Sequence, residues 1–217
     1  MPTSALILGT GGIGAAVAEA LRARGDAVTT LSRSADGFNV TDPASVARHL
    51  DALETPFDLV FVAVGTLGAP EKKLSEIDRD AMAAVFAVNT FGPALILRHA
   101  GDLLPRDRAA TLAVLSARVG SIGDNRIGGW YSYRASKAAL NQIVHGAAIE
   151  LARTHKQARV VALHPGTVDT PFTQGYADRH KTVPATEAAA NLLDVIDGLA
   201  PADSGQFFDY AAEPIPW

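Results

Sequence analysis

The chain has 217 residues, 48% of them apolar and 19% charged, with a formal net charge of −4. It has no cysteine, which excludes disulfides, thiolate metal sites and a cysteine nucleophile, and its six histidines show no metal-ligand spacing. Acidic and basic residues are interleaved, no stretch of 18 residues is free of charged or strongly polar groups, and Met1-Pro2-Thr3-Ser4 lacks a basic leader, so the expectation is a cytoplasmic protein without a spanning helix and without metal, nucleic-acid or membrane partners.

Apolar runs alternate with helical patterns along the chain. Ala5 to Leu8 reads as a strand, and a helix follows from about Gly12 to Arg24, with Gly25 as its stop. Ala27 to Leu31 is a second strand; Ser34 to Phe38 after it is too short for another helix. Asp42-Pro43 supplies an N-cap and a first-turn proline ahead of Val46, Leu50 and Leu53. Leu59 to Val64 is apolar throughout, as a strand buried on both faces must be. There follow a long helix around Asp80 to Ala100, a strand at Thr111 to Leu115, a helix from Tyr133 to Arg153 and a strand at Arg159 to Leu163. A helix from Ala185 to Leu199 and a short strand at Gln206 to Phe208 close the chain.

This alternation, unbroken by linker or repeat, predicts one α/β domain over residues 1–217. The expected architecture is a doubly wound, Rossmann-type parallel sheet of about seven strands with helices on both faces. Ligands of such sheets bind beyond the carboxyl ends of the strands, where Thr66 to Lys73 and Ser121 to Ser132 read as loops.

Gly9-Thr10-Gly11-Gly12-Ile13-Gly14 joins the first strand to the first helix, and Gly9, Gly11 and Gly14 satisfy GxGxxG. A dinucleotide needs that turn because its pyrophosphate must approach backbone N–H groups unhindered by a β-carbon. At the end of the second strand, where an acid would bind the 2′-hydroxyl of NAD, stand Ser32 and Arg33, which favour the 2′-phosphate of NADP. Tyr133 and Lys137 lie four apart, on one face of a helix. A neighbouring ammonium lowers a phenol's pKa, which suits the tyrosine to exchange protons with a carbonyl oxygen.

The glycine turn, Asn89 in Val88-Asn89-Thr90-Phe91-Gly92-Pro93, the Tyr133/Lys137 pair and Pro165-Gly166-Thr167-Val168-Asp169-Thr170 occur in the order of the short-chain dehydrogenases/reductases. The resemblance covers essentially the whole chain. Gly128-Gly129-Trp130-Tyr131-Ser132-Tyr133-Arg134-Ala135-Ser136-Lys137 and the closing Glu213-Pro214-Ile215-Pro216-Trp217 most resemble its C-factor-like branch. The resemblance implies a dinucleotide-binding N-terminal half and a catalytic, substrate-binding C-terminal half. Tyr133 would be the general acid/base, Lys137 would hold the nicotinamide ribose, and Asn89 would anchor a relay water. Gly9, Gly11, Gly12, Ile13 and Gly14 would take the pyrophosphate, with Thr170 near the phosphates. Ser32 and Arg33 would face the ribose phosphate, Asn39 and Val40 the adenine, and Gly65, Pro165, Gly166 and Val168 the nicotinamide side. A homodimer or homotetramer is implied too.

The chain departs from the family where a serine normally orients the substrate carbonyl. Leu115-Ser116-Ala117-Arg118 puts Ala117 at that position, one residue after Ser116. A one-residue shift along a strand turns a side chain to the other face. Ser116 is the first candidate to supply the hydroxyl, with Ser121 and Ser132 as alternatives. Pro171 to Pro184 is too short for a large lid, which suits small or flat carbonyl compounds. Two readings follow: an NADP(H)-dependent oxidoreductase acting on a small carbonyl or alcohol, or a dinucleotide-binding signalling protein with vestigial catalysis.

Overall fold

Runs of valine, leucine and alanine too short for helices form a central sheet in the computed structural model, which describes residues 3–53, 56–173 and 182–217. β1 (Ser4–Leu8) leads through a glycine turn into α1 (Gly12–Ala23), and β2 (Ala27–Leu31) into a single helical turn, α2 (Arg33–Asp36). α3 (Pro43–Asp51) starts at Asp42, whose carboxylate accepts the Ala44 amide at 3.0 Å. After β3 (Leu59–Val62), α4 (Arg79–Phe86) and α5 (Gly92–Leu97) are joined by a π-helical turn at Ala87–Phe91, and α6 (Ala100–Leu103) is a separate turn. β4 (Ala110–Leu115), α7 (Tyr131–Leu151) and β5 (Ala158–His164) follow. Then come β6 (Val168–Asp169), β7 (Val183–Pro184), α8 (Ala185–Gly198) and β8 (Phe207–Asp209).

Six strands make one all-parallel sheet in the order β2-β1-β3-β4-β5-β8, and β6 and β7 form a separate parallel pair. Among the described residues the sheet therefore has six strands where about seven were expected: the six are those that the apolar runs marked, and the one further strand pair, of two residues each, lies outside the sheet. The segment after β2 is also corrected: Ser34 to Phe38 falls partly in α2, one turn held by Ser32 as its N-cap.

Alternate residues of the buried strands face two cores. Leu6, Leu8, Val60, Val62, Leu112, Val114, Val160 and Ala162 pack beneath α3, α5 and α7 through Val46, Ile96, Leu140 and Val144. Ala5, Ile7, Phe61, Ala113, Val161 and Leu163 pack against α1 and α8 through Val17, Leu21, Leu192 and Ile196. Full burial of such a side chain stabilises by about 1.5–3 kcal/mol, which fixes the strand register and hence the strand ends. Arg79–Leu97, at 19 residues and mean hydropathy 1.5, is long and apolar enough to cross a membrane. Its π-helical turn nonetheless binds α7: Thr90 Oγ1 donates to Ser136 O at 2.9 Å. The strand order reverses between β1 and β3, and the crevice at that switch is where an open α/β sheet takes its ligand.

Candidate active site

The β1–α1 turn is built for close approach. Gly9 has φ +97° and an ideal Cβ there would sit 2.8 Å from Ala63 O; at Gly14 it would sit 1.9 Å from Gly9 O. At Gly11, by contrast, a Cβ would meet nothing within 4 Å, so the protein itself gives no reason for a glycine. α1 has no side-chain cap and no acid in its first turn, which leaves its N–H groups and its dipole for an anion. Thr170 lies on this turn: its Cγ2 would be 2.5 Å from a Cβ on Gly12. Ile13 is half-buried beside it. A pyrophosphate fits these residues.

At the end of β2, Ser32 Oγ accepts the Ala35 amide at 3.2 Å, and the Asp36 carboxylate accepts the Ser32 amide at 2.7 Å. That acid is thus committed to the α2 turn, whereas the Arg33 side chain is exposed and makes no ion pair among the described residues. Asn39 Oδ1 accepts both the amide and hydroxyl of Thr41, at 3.1 and 2.9 Å. Val40 is buried against Gly92, where an ideal Cβ would meet its Cγ2 at 2.9 Å.

Beyond β3, four segments meet around Gly65. A Cβ there would lie 3.5 Å from Asn89 Oδ1, 3.6 Å from Lys137 Nζ and 4.0 Å from Phe172 Cε2. The Phe172 and Trp130 rings flank the Tyr133 ring, with centroids 6.1 and 6.2 Å away. The π-helical turn explains how Asn89, fully buried, leaves its helix: its Oδ1 accepts the Thr66 amide at 2.7 Å, and its Nδ2 donates to Thr66 O at 2.8 Å and Ser136 Oγ at 3.0 Å. Lys137 Nζ donates to Leu115 O at 3.0 Å, and its burial pulls the ammonium down to about 8. Burial pushes the Tyr133 phenol well above its usual value. The lowering expected from the ammonium is therefore not seen, because desolvation disfavours the charged form of both groups.

None of the three candidate serine hydroxyls is free. Ser116 Oγ donates to Asn141 Oδ1 at 2.6 Å, Ser121 Oγ to Pro216 O, and Ser132 Oγ to the Glu71 carboxylate. Ala117 follows Ser116 in extended backbone (φ −151°, ψ 142°) and caps a turn, Arg118–Gly120. That turn rests on α7, since a Cβ at Gly120 would be 2.7 Å from Lys137 Cβ. The Arg118 guanidinium pairs with Asp209 at 2.7 Å and Asp124 at 3.2 Å. Pro165 is half-buried, Gly166 (φ +78°) lies against the Tyr210 ring, and Val168 is buried in β6. Of the segment from Pro171 to Pro184, read as too short for a large lid, residues 174–181 lie outside the described residues.

Two residues at the site gave no sequence signal. Phe172 follows the motif that ends at Thr170. Glu71 crosses 61 residues to take the Ser132 amide at 3.2 Å as well as its hydroxyl, capping the helix that carries Tyr133.

Comparison with known proteins agrees with this geometry. The family model described as enoyl-(acyl carrier protein) reductase matches residues 7–198. A 1-hydroxy-2-glutathionyl-2-methyl-3-butene dehydrogenase from Rhodococcus sp. is 34% identical over 174 residues, 79% of this chain and 74% of the relative. The C-signal protein of Myxococcus xanthus is 40% identical over 147 residues, 66% of this chain and 83% of the relative. A short-chain dehydrogenase/reductase from Burkholderia multivorans, solved with bound NADP, superposes with a TM-score of 0.80 at 25% identity, covering 100% of both chains.

Proposed function

The chain belongs to the short-chain dehydrogenase/reductase family of oxidoreductases, and from that premise we propose that it uses NADP(H) to interconvert a small carbonyl compound and its alcohol. The convergence of Asn89, Lys137 and Phe172 on Gly65, beside Tyr133, carries this reading. Bound nicotinamide supplies or accepts the hydride. Gly9, Gly11, Gly12, Ile13, Gly14 and Thr170 hold the phosphates, Ser32 and Arg33 the ribose phosphate, and Asn39 and Val40 the adenine. Gly65, Pro165, Gly166 and Val168 border the nicotinamide, and Lys137 holds its ribose.

Tyr133 is the acid. A phenol whose pKa is raised by burial stays protonated at neutral pH, the form that delivers a proton to a carbonyl oxygen during reduction. Asn89, fixed on both sides of Thr66, holds the relay behind Lys137. The NADP-bound structural neighbour, and Arg33 without an ion pair among the described residues, favour NADP(H) over NAD(H). Phe91 and Ile149, 58% and 55% exposed on the π-helical turn and on α7, suit the homodimer or homotetramer expected of this family.

The test is NADPH oxidation against a panel of aldehydes, quinones and dicarbonyls, with Tyr133→Phe as control. Turnover abolished by that substitution supports the reductase. A second reading, a dinucleotide-binding signalling protein, is favoured by the 40% identity to C-signal and by the committed serines. Tight NADPH binding with no turnover across the panel would select it.

A further inference from the structure

We propose that Ala117 is a specificity-determining residue that confines this site to carbonyls already activated for hydride acceptance, presented on flat conjugated frameworks. The inference rests on the reductase reading and names its substrate class. Ala117 caps the turn that rests on α7 at Lys137, and the three candidate serine hydroxyls for a second carbonyl-orienting donor are each committed elsewhere. Ser116 is tied to Asn141 on the α7 face of the sheet, Ser121 to the backbone of Pro216, and Ser132 to Glu71. Ala117, 8% exposed in extended backbone, offers only a methyl group.

A substrate oxygen in this site is therefore met by the Tyr133 proton and by none of these three serines. Removing one preorganised donor from a developing oxyanion costs roughly 10²–10³ in rate. A carbonyl whose carbon is already electron-poor develops less charge on oxygen in the transition state and loses less. The surroundings point to the same substrates, because the Trp130 and Phe172 rings stand 6.2 and 6.1 Å from the Tyr133 ring, on a wall that suits planar conjugated systems. The chemistry balances without a further reactant: the carbonyl carbon takes a hydride from NADPH, the oxygen takes the Tyr133 proton, and an alcohol and NADP⁺ leave.

The experiment compares kcat/KM of the wild type and Ala117→Ser over para-substituted benzaldehydes and acetophenones, from nitro to methoxy, with NADPH as donor. The wild type is expected to show a steep dependence on electron withdrawal. Ala117→Ser is expected to raise the unactivated members about 100-fold and the nitro members much less, flattening the series. A shallow wild-type series, or a gain in Ala117→Ser that is absent or uniform across the substituents, overturns the inference. In that event, Tyr133-dependent turnover of the nitro members by the wild type leaves the reductase reading intact. Failure to bind NADPH would instead remove the reading on which the inference depends.

Discussion

Ser132 is held to Glu71 twice: its hydroxyl and its amide, the latter at 3.2 Å, both donate to the one carboxylate. The loop after β3 thereby caps the helix that carries Tyr133, one residue further on. Glu71→Ala leaves two buried donors unsatisfied and should destabilise the protein by about 2–3 kcal/mol, with slower turnover from a misplaced phenol. Denaturant unfolding beside steady-state kinetics checks both effects.

The same pair makes stability depend on pH. Burial pushes the Glu71 carboxyl up, but the hydrogen bonds from the Ser132 side chain and from backbone amides outweigh it and leave it below the usual value. A folded pKa below the unfolded one gives stability that is complete above about pH 4.3 and is lost as pH falls through the folded value. Melting temperatures of wild type and Glu71→Gln should therefore differ at pH 7 and converge in acid. A gap that does not change with pH would count against an ionised cap.

Lys137 has the opposite energetics. Its ammonium, pulled down to about 8 by burial, is charged at neutral pH at a cost to the fold. The corresponding penalty is about 3 kcal/mol, and losing the bond to Leu115 O costs about 1 kcal/mol. Lys137→Met should then be about 2 kcal/mol more stable than wild type at pH 7, while turnover is lost. The penalty is carried in full below the folded value of about 8 and fades as pH rises toward the unfolded value, about 10.4. Thermal melts of the two proteins should accordingly draw together in alkali.

Gly11 and Gly14 separate fold from ligand. Alanine at Gly14 would bring a Cβ to 1.9 Å from Gly9 O and should lower stability as well as cofactor affinity. Alanine at Gly11 meets no protein atom within 4 Å, so its melting temperature should match the wild type. On the proposed cofactor placement its β-carbon would stand where the pyrophosphate approaches, and NADPH binding should weaken at least tenfold by titration calorimetry.

Arg33→Ala tests cofactor choice. Loss of one charge-assisted contact to the 2′-phosphate is worth about 1.5–3 kcal/mol, so the KM for NADPH should rise ten- to a hundredfold while that for NADH stays within about twofold. Equal changes for both cofactors would make Arg33 a surface residue only.

Local physics was legible in the sequence and long-range partnerships were not. Gly25, placed as a helix stop, has φ +88°, and Asp42 caps α3 as its spacing with Pro43 implied. The buried strands followed from apolar runs because one face of each packs on each core. The π-helical turn that frees Asn89 has no pattern of its own, since the flanking residues remain helical on either side. Glu71 is one charge in a polar loop until the fold brings it to Ser132. The serines were the hardest to read: the family resemblance implied that Ser116 is one residue from the expected position, but only the Asn141 contact shows where its hydroxyl goes.

The most direct test of hydride transfer is isotopic. NADPH carrying two deuterium atoms at the reactive nicotinamide carbon is incubated with the wild-type protein and 4-nitrobenzaldehyde, and the alcohol is examined by mass spectrometry and NMR. The expected result is one deuterium on the carbinol carbon for the wild type and no product with Tyr133→Phe, although both bind NADPH. NADPH bound by the wild type without labelled alcohol, or labelled alcohol formed equally by Tyr133→Phe, would contradict the proposed chemistry.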